Sequence, residues 1–393
     1  MKWNRLFLLF LAIGAWHHSV AEPIGEQTEI SLITCGPGDD LYSVFGHSAI
    51  HVSDRTTGLD KVYNYGTFDF DTPNFYLEFA RGKLNYALSV TSFERFIIGY
   101  QYEGRWVQRQ VLNLTLEEKV ALYDFLEVNA LPENRNYKYD FFYDNCSSRI
   151  RDVFEEVLGR DLTWEGAKSD TSATFRQLIK LYLDNHPWSE LGIDLALGIP
   201  CDRQADYRNK MFLPDYLMAG FETGSVSRGG TREPLVASTA LVLPENADLR
   251  NLGESHIAWA FWVFFGVCLL ASIFVAPSRM RWFDVVFFAA VGLLGIVVLL
   301  LWFATDHSAT KWNMNILWAL PSWIYGAVLI AKGKHDSRFF RYHAGFLFFV
   351  VIGWMWIPQT LNTAVIPLVL ALITRSWSWQ KLRFALQKPT HGA

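Results

Sequence analysis

The sequence predicts an α+β domain outside the cytoplasm, followed by an all-α bundle of membrane helices. Three observations lead to this expectation. An apolar segment with a small-residue end opens the chain, strand patterns give way to helix patterns over residues 22–253, and about five apolar stretches occupy residues 254–375. Residues 376–393 are expected to form a cytoplasmic tail. The composition agrees, because 51% hydrophobic residues with 16 Trp and 30 Phe exceed what an ordinary soluble protein carries.

Residues 1–21 have the three parts of a secretory signal peptide. Lys2 and Arg5 precede an apolar core over residues 6–16, and the segment ends in Ser-Val-Ala, a small-x-small cleavage site. An uncleaved N-terminal anchor is the alternative. Either one directs the segment that follows across a membrane.

Strand patterns open the domain, and helix patterns follow. The segments ISLITC, GHSAIHV, KVYNYG and WVQRQVLNL are typical of strands, and the alternation in GHSAIHV places His47 and His51 on the same face. A capping box that begins at Thr115 starts a helix, which Pro132 ends. Strands followed by helices indicate an α+β domain rather than repeated βαβ units.

The segment YDNCSSRIRDVFEEVLG predicts an amphipathic helix with Cys146 in its first turn. Asp144 and Asn145 are favourable N-caps, and Gly159 is a plausible stop. The apolar positions recur at helical spacing: Ile150, Val153, Phe154, Val157 and Leu158. Free N–H groups and the dipole at a helix N-terminus stabilise a thiolate, lower its pKa and can hold an oxyanion. Cys146 is therefore the candidate nucleophile, with a buried structural thiol as the alternative.

His47 is the candidate general base, because it follows Gly46, lies on a rigid strand and has a candidate nucleophile to serve. Asn64, on the next strand, is expected to orient the imidazole, with His51 and Asp144 as alternatives. A zinc ion shared by His47 and His51 is rejected, since residues four apart on a strand have Cα atoms about 13 Å apart. The sequence predicts no metal site and no cofactor.

Five apolar stretches follow the domain, although four or six spans stay open as alternatives. The first two are long enough to cross a bilayer alone, whereas the last three need flanking Trp, Asn and Thr residues. The stretches cover residues 257–276, 282–304, 316–331, 344–357 and 364–373.

Basic residues between the stretches predict the orientation. Loops one and three and the C-terminal tail are basic, whereas loop two has only Lys311 and loop four has none. By the positive-inside rule the basic segments are cytoplasmic, so an odd number of spans leaves residues 22–253 outside. The signal peptide also requires residues 22–253 to lie outside the cytoplasm. This combination, with no lipid-attachment cysteine after the signal, is typical of a bacterial inner-membrane protein whose domain faces the periplasm.

The second external loop, ATDHSATKWNMNILW, is unusually polar for a connection between spans. Asp306, His307, Lys311, Asn313 and Asn315 are expected at the depth where membrane and periplasm meet. His307, Asn313 and Asn315 are candidates for substrate binding, as a clamp on a lipid head group. The alternative is an interfacial loop with solvated polar groups.

The remaining cysteines and the net charge give weaker indications. Cys35 and Cys201 lie outside the cytoplasm, where disulfides persist, so a bond between them and a Cys35 that lines the site both stay open. Cys268 is expected to pack within the membrane. A net charge of −4 without a basic stripe argues against nucleic-acid binding.

The order of the candidate residues resembles the permuted papain-like fold of the NlpC and lecithin:retinol acyltransferase relatives. In that group a His on a strand is followed by a second polar residue and then by a nucleophile in an Asn-Cys pair. Here HSAIHV, Asn64 and NCSS occupy those places. The relatives have a His where this chain has Asn64. The resemblance implies a catalytic domain with Cys146 as nucleophile and His47 as base.

Six segments in order resemble the Lnb family of bacterial lipoprotein N-acyltransferases over nearly the whole chain. They are TCGPGDDLYSVFGHSAI, YNYGTFDFDTPNFY, YDNCSSRIRD, MFLPDYL, TDH with NMNILW, and QTLNTAVIPL. The resemblance implies a periplasmic thiol domain followed by a membrane bundle, and N-acylation of diacylglyceryl lipoproteins.

The expected function is ping-pong acyl transfer. A glycerophospholipid donates an acyl chain to Cys146 as a thioester, and the α-amine of a diacylglyceryl-cysteine lipoprotein accepts it. The expected partners are therefore a phospholipid donor, a lipoprotein acceptor and the membrane. Two other hypotheses are kept: a papain-like peptidoglycan endopeptidase or amidase, and a non-catalytic membrane partner protein with a structural Cys146. The peptidoglycan enzyme would need no helix bundle.

Overall fold

A computed structural model describes residues 24–69, 71–166, 172–249, 257–334 and 336–386. The expected signal peptide at residues 1–21 lies outside the described residues, and so does the expected boundary between domain and bundle at residues 253 and 254.

The domain before residue 250 combines short strands with short helices. Its strands are β1 (Glu29–Cys35), β2 (His47–Asp54), β3 (Leu59–Thr67), β4 (Asn85–Thr91), β5 (Val107–Leu112), β6 (Asn136–Lys138), β7 (Leu162–Trp164), β8 (Ala173–Thr174), β9 (Gln204–Ala205), β10 (Gly224–Arg228), β11 (Thr231–Pro234) and β12 (Val236–Leu243). Its helices are α1 (Phe75–Ala80), α2 (Phe93–Tyr102), α3 (Leu116–Ala130), α4 (Cys146–Leu158), α5 (Phe175–Lys180), α6 (Pro187–Ala196), α7 (Tyr207–Lys210) and α8 (Pro214–Thr223).

Seven strands form one antiparallel sheet in the order β12-β5-β1-β2-β3-β4-β6. Successive side chains on β1 to β3 point to opposite faces of the sheet and enter two separate cores. Ile50 and Tyr63 join the core that contains α4, whereas Ala49 and Val62 join Phe96 of α2. Helices therefore cover both faces of the central strands, which fixes the register of β2 and the direction of every side chain on it.

Two helices predicted from local signals have the predicted limits within a few residues. The capping box at Thr115 starts α3, whose N-terminal N–H groups it satisfies together with Glu118. Asn145 caps α4, and Gly159 follows the last residue of that helix. The predicted α+β class is confirmed for this domain.

The residues after 256 form five α-helices in the part of the chain that the structure describes. They are α9 (Ile257–Phe274), α10 (Arg281–Phe303), α11 (Trp323–Ala331), α12 (Ser337–Ile352) and α13 (Ile366–Leu386). Two helical segments, Ile257–Phe274 and Pro277–Phe303, are by length and composition able to cross a membrane. Differences from the sequence prediction lie at the ends: α11 begins later than residue 316, α12 covers residues 337–352 rather than 344–357, and α13 continues past residue 375.

A buried ion-pair cluster joins the domain to the loops of the helical part. The Arg176 guanidinium lies 2.7 Å from an Asp194 oxygen and 3.1 Å from an Asp202 oxygen, and all three side chains are at least nine-tenths buried. The Asn362 amide, which precedes α13, donates to the second Asp194 oxygen at 3.0 Å. Because Asp194 and Asp202 each accept hydrogen bonds from both parts of the chain, the cluster holds the domain in one position on the helices.

Candidate active site

The N-terminus of α4 is held by Asn145. Its side-chain oxygen accepts the backbone N–H groups of Ser147 and Ser148, at 2.9 and 2.8 Å. Its amide nitrogen donates to the carbonyls of Phe141 and Phe212, at 2.9 and 2.8 Å. Because both the oxygen and the nitrogen of the Asn145 side-chain amide are hydrogen-bonded, the cap is rigid. Cys146, the first residue of the helix, therefore has a fixed position beside the sheet.

His47 begins β2 and follows a glycine that the local geometry requires. Gly46 has φ +79°, and a Cβ there would lie 2.8 Å from the carbonyl oxygen of Cys35. The Nε2 atom of His47 lies 2.6 Å from Oδ1 of Asn64. Since an amide oxygen accepts, Nε2 carries a hydrogen, which leaves Nδ1 as the ring nitrogen that can exchange a proton with the thiol.

His47 and Cys146 perturb each other's pKa. Burial disfavours the thiolate, yet the charge of His47, hydrogen bonding to its ring and the backbone N–H of Ser48 together lower the pKa of Cys146 to about 7. Burial also disfavours the imidazolium, but the thiolate and the hydrogen bond that His47 donates to Asn64 raise the pKa of His47 above its usual range. The geometry therefore favours a thiolate–imidazolium pair near neutral pH.

The two alternatives for the orienting residue are engaged elsewhere. His51 lies 2.8 Å from a carboxylate oxygen of Asp60 and stacks on Phe93 at 4.6 Å between ring centroids. Asp144 forms an ion pair with Arg149 at 2.6 Å. The structure thus places Asn64, and neither alternative, against the imidazole of His47.

Three residues beside the thiol were missed by sequence reasoning. A Cβ built on Gly66, whose φ is +89°, would lie 3.6 Å from the Cβ of Cys146, 3.9 Å from the Tyr137 hydroxyl and 4.0 Å from the Tyr139 ring. The missing side chain leaves a small space between the thiol and two tyrosines. The run YKYD, shortly before the nucleophile, was the only signal for them.

Tyr137 presents an unused donor to this space. Its side chain is 9% exposed, and its hydroxyl has no hydrogen-bond partner in the described part of the chain. The Arg149 guanidinium lies 3.7 Å from the ring centroid and fixes the ring. Burial raises the pKa of Tyr137, so the group stays protonated. The N–H groups of Ser147 and Ser148 already donate to the Asn145 cap, so they are not free to bind an oxyanion. The Tyr137 O–H is free of partners among the described residues and can donate to an oxyanion beside Cys146.

The predicted clamp residues Asn313 and Asn315 have a structural task instead. The Asn313 amide donates to the carbonyls of Leu195 and Ala196 at 2.8 and 3.1 Å. The Asn315 amide donates to the carbonyl of Asp194 and to the side-chain oxygen of Asn313, at 2.9 and 3.0 Å. Both side chains are buried and leave no hydrogen for a lipid head group, which corrects the expectation for these two residues. They cap the end of α6.

His307 lies at the surface of the same loop. Its ring nitrogen Nε2 is 3.1 Å from the carbonyl oxygen of Phe79, at the end of α1. Of the three candidates His307, Asn313 and Asn315, only His307 keeps substrate binding as a prediction.

The other three cysteines form no disulfide in this structure, and Cys35 pairs with His47 across β1 and β2. Cys35 and Cys201 are free thiols in different cores, and Cys268 is also free. Cys201 donates to the carbonyl of Ala309 at 3.4 Å. Burial raises the pKa of Cys35 and of Cys201 to about 12. These two thiols are therefore inert at neutral pH, and no disulfide joins them in this structure.

The fold and the site together define a membrane protein whose α+β domain carries a cysteine–histidine pair. Comparison with family models agrees. Residues 23–180 match the Lnb N-terminal periplasmic domain, and residues 257–385 match the Lnb transmembrane domain. The chain belongs to the Lnb family, and its α+β domain is periplasmic. No curated protein and no solved structure matches the chain.

Proposed function

We propose that the protein is a lipoprotein N-acyltransferase that uses Cys146 as its nucleophile. The observation that carries the proposal is the thiol itself: Cys146 has a pKa of about 7, beside a histidine that Asn64 holds. A structural thiol needs no such environment, since burial alone raises the pKa of a cysteine, as it does for Cys35.

The attachment of the domain to the helices supports lipid substrates. The loop after α10 contacts the domain at Arg81, where the Asp306 N–H donates to a carbonyl at 2.8 Å, and at Asp140, which accepts from Ser308 at 2.7 Å. The domain that carries the thiol is thus attached to the loop at the periplasmic end of α10. Both an ester donor and a lipoprotein acceptor reside in that membrane leaflet, which we propose belongs to the inner membrane.

The first step forms a thioester. The thiolate of Cys146 attacks the carbonyl carbon of a phospholipid ester, and the tetrahedral oxyanion accepts a hydrogen bond from Tyr137. When the intermediate collapses, the carbon–oxygen bond to glycerol breaks. The imidazolium of His47 gives its proton to the leaving alkoxide, and a lysophospholipid departs.

The second step forms an amide. The α-amine of a diacylglyceryl-cysteine attacks the thioester carbonyl, and neutral His47 takes a proton from the amine. The carbon–nitrogen bond forms, the carbon–sulfur bond breaks, and the Cys146 thiolate is restored. A partly buried site keeps water from hydrolysing the thioester before the amine arrives.

The order of the catalytic groups supports a permuted papain-like arrangement. His47 at the start of β2, Asn64 on β3 and Cys146 at the start of α4 follow one another in that sequence. Asn64 would take the orienting role of a second histidine, since it supplies one fixed acceptor for the imidazole.

The decisive experiment is mass spectrometry of lipoprotein N-termini from cells with and without this gene. We expect N-acylated termini with the wild-type gene, and free α-amines without it or with Cys146→Ser. Unchanged N-acylation in the Cys146→Ser strain would remove the thiol from the mechanism. Altered peptidoglycan fragments with unchanged lipoproteins would instead favour the peptidoglycan enzyme.

A second experiment tests the covalent intermediate. Purified protein incubated with a phospholipid that carries a radiolabelled acyl chain should retain label, and neutral hydroxylamine should release it. His47→Ala should retain little label. Label that resists hydroxylamine, or equal labelling of the His47 variant, would contradict the thioester.

A further inference from the structure

The short helix α1 exposes a row of apolar side chains that the domain does not use. Tyr76, Leu77 and Phe79 are 80%, 55% and 53% exposed, whereas Phe75 on the same helix is buried. Water contact with three large apolar groups on a six-residue helix is unfavourable, so such a surface indicates a partner.

The position of α1 identifies the chemistry of that partner. The Asp306 N–H, three residues after the end of α10, donates to the carbonyl of Arg81, and His307 contacts the carbonyl of Phe79. The loop that follows α10 therefore contacts the end of α1. Phe303, the last residue of α10, is 73% exposed, as expected for a lipid-facing span. The apolar surface of the span thus continues onto α1.

The residues that follow α1 suit a bilayer surface. Arg81 and Lys83 are partly exposed cations directly after the apolar row. Aromatic and aliphatic side chains beside basic residues are typical of segments that lie in the interfacial region of a membrane.

The buried side of α1 leads to the nucleophile. Phe75 contacts Phe68 at 5.7 Å between ring centroids, Phe68 contacts Tyr86 at 5.5 Å, and Tyr86 stacks on Tyr139 at 4.3 Å. Tyr139 borders the space beside Cys146. A continuous aromatic wall therefore runs from the exposed helix to the thiol.

We propose that α1 inserts Tyr76, Leu77 and Phe79 into the periplasmic leaflet, and that the aromatic wall guides a phospholipid acyl chain from there to Cys146. The guiding role rests on the proposed function, whereas the insertion does not. The partner is the lipid surface of the bilayer that α10 crosses.

The insertion is tested by nitroxide accessibility in nanodiscs of phosphatidylethanolamine and phosphatidylglycerol. Single labels are placed at Leu77→Cys and Phe79→Cys in a Cys146→Ser background, because the other three cysteines are buried. The control is Thr57→Cys, in the hairpin at the opposite end of β2 from His47. We expect the α1 labels to collide with dissolved oxygen more than with an aqueous nickel chelate, and the control label to show the reverse. Nickel access equal to the control, or spin–spin broadening from a second copy, would overturn the proposal.

The guiding role is tested with two acyl donors. Leu77→Gln with Phe79→Gln should slow acylation of Cys146 by vesicle phospholipid about tenfold or more, since two apolar contacts with lipid are lost. Acylation by a short, water-soluble activated ester should be unchanged. The matched control is Val128→Gln on α3, which is 57% exposed and should affect neither donor. Equal slowing with both donors, or no slowing, would overturn the guiding role.

If wild-type protein forms no acyl-enzyme from either donor, the proposed function and the guiding role fail, while nitroxide accessibility still decides the insertion.

Discussion

Replacement of His47 by alanine should return Cys146 to the behaviour of a buried thiol. In the structure, burial alone raises the pKa of the thiol, and His47 supplies the largest opposing effects by charge and hydrogen bonding. His47→Ala removes both. The pKa of Cys146 should therefore rise from about 7 to its ordinary value of 9.0 or beyond.

The sign and size of the effect follow from the thiolate fraction. Near pH 7.5, roughly three quarters of a thiol with a pKa of about 7 is ionised, compared with about 3% at a pKa of 9.0, a ratio of about 25. The more basic thiolate is intrinsically more nucleophilic, by about eightfold over two pKa units. The rate at which Cys146 is alkylated at a single pH therefore falls only about threefold. The midpoint of the pH profile, which moves up by about two units, is the sharper observable.

The assay is the rate of iodoacetamide alkylation between about pH 5 and 10, followed by intact mass in detergent. Cys35 and Cys201, with pKa values of about 12, should not react in this range, and Cys146→Ser identifies the reactive site. His51→Gln is the matched control, because His51 lies on the same strand but binds Asp60. A wild-type midpoint near 9, or a midpoint that His47→Ala does not move, would refute the reasoning.

Three further outcomes are expected. Tyr137→Phe should slow acyl-enzyme formation by about 10²–10³ without moving the alkylation midpoint, because it removes one oxyanion donor; a loss below tenfold in single-turnover labelling would contradict that role. Asn315→Ala should lower the free energy of unfolding by about 1–3 kcal/mol for each buried partner left unpaired, including the carbonyl of Asp194. Denaturant titration of the solubilised protein checks this, and a stability equal to wild type would count against a structural role. Gly66→Ala should destabilise the protein by about 1–2 kcal/mol, since its φ is +89°, and should slow acylation by narrowing the space beside Cys146. Acylation at the wild-type rate would show that the acyl group does not occupy this space.

Local patterns in the sequence determined the elements that carry the nucleophile and the base. The cap at Asn145, the helical spacing after Cys146 and the alternation around His47 each involve residues close in the chain. The limits of α4 and the faces of β2 therefore follow from backbone geometry alone. The five apolar stretches and the basic loops likewise depend only on local composition, and each of the helices α9 to α13 overlaps one of the five stretches.

Tertiary structure decided which polar groups meet. Asn64 contacts His47 only because β2 and β3 pair in one register, and Tyr137 reaches the space beside Cys146 only because β6 adds to the same sheet. The sequence analysis predicted that Asn313 and Asn315 bind a head group, with a solvated interfacial loop as the alternative. Their amides instead donate to carbonyls of α6, more than one hundred residues earlier in the chain. Such contacts leave no local signal, because any carbonyl at a helix end satisfies an amide equally well. The sequence supplied the donors and acceptors, and only packing of the domain on the membrane helices determined their partners.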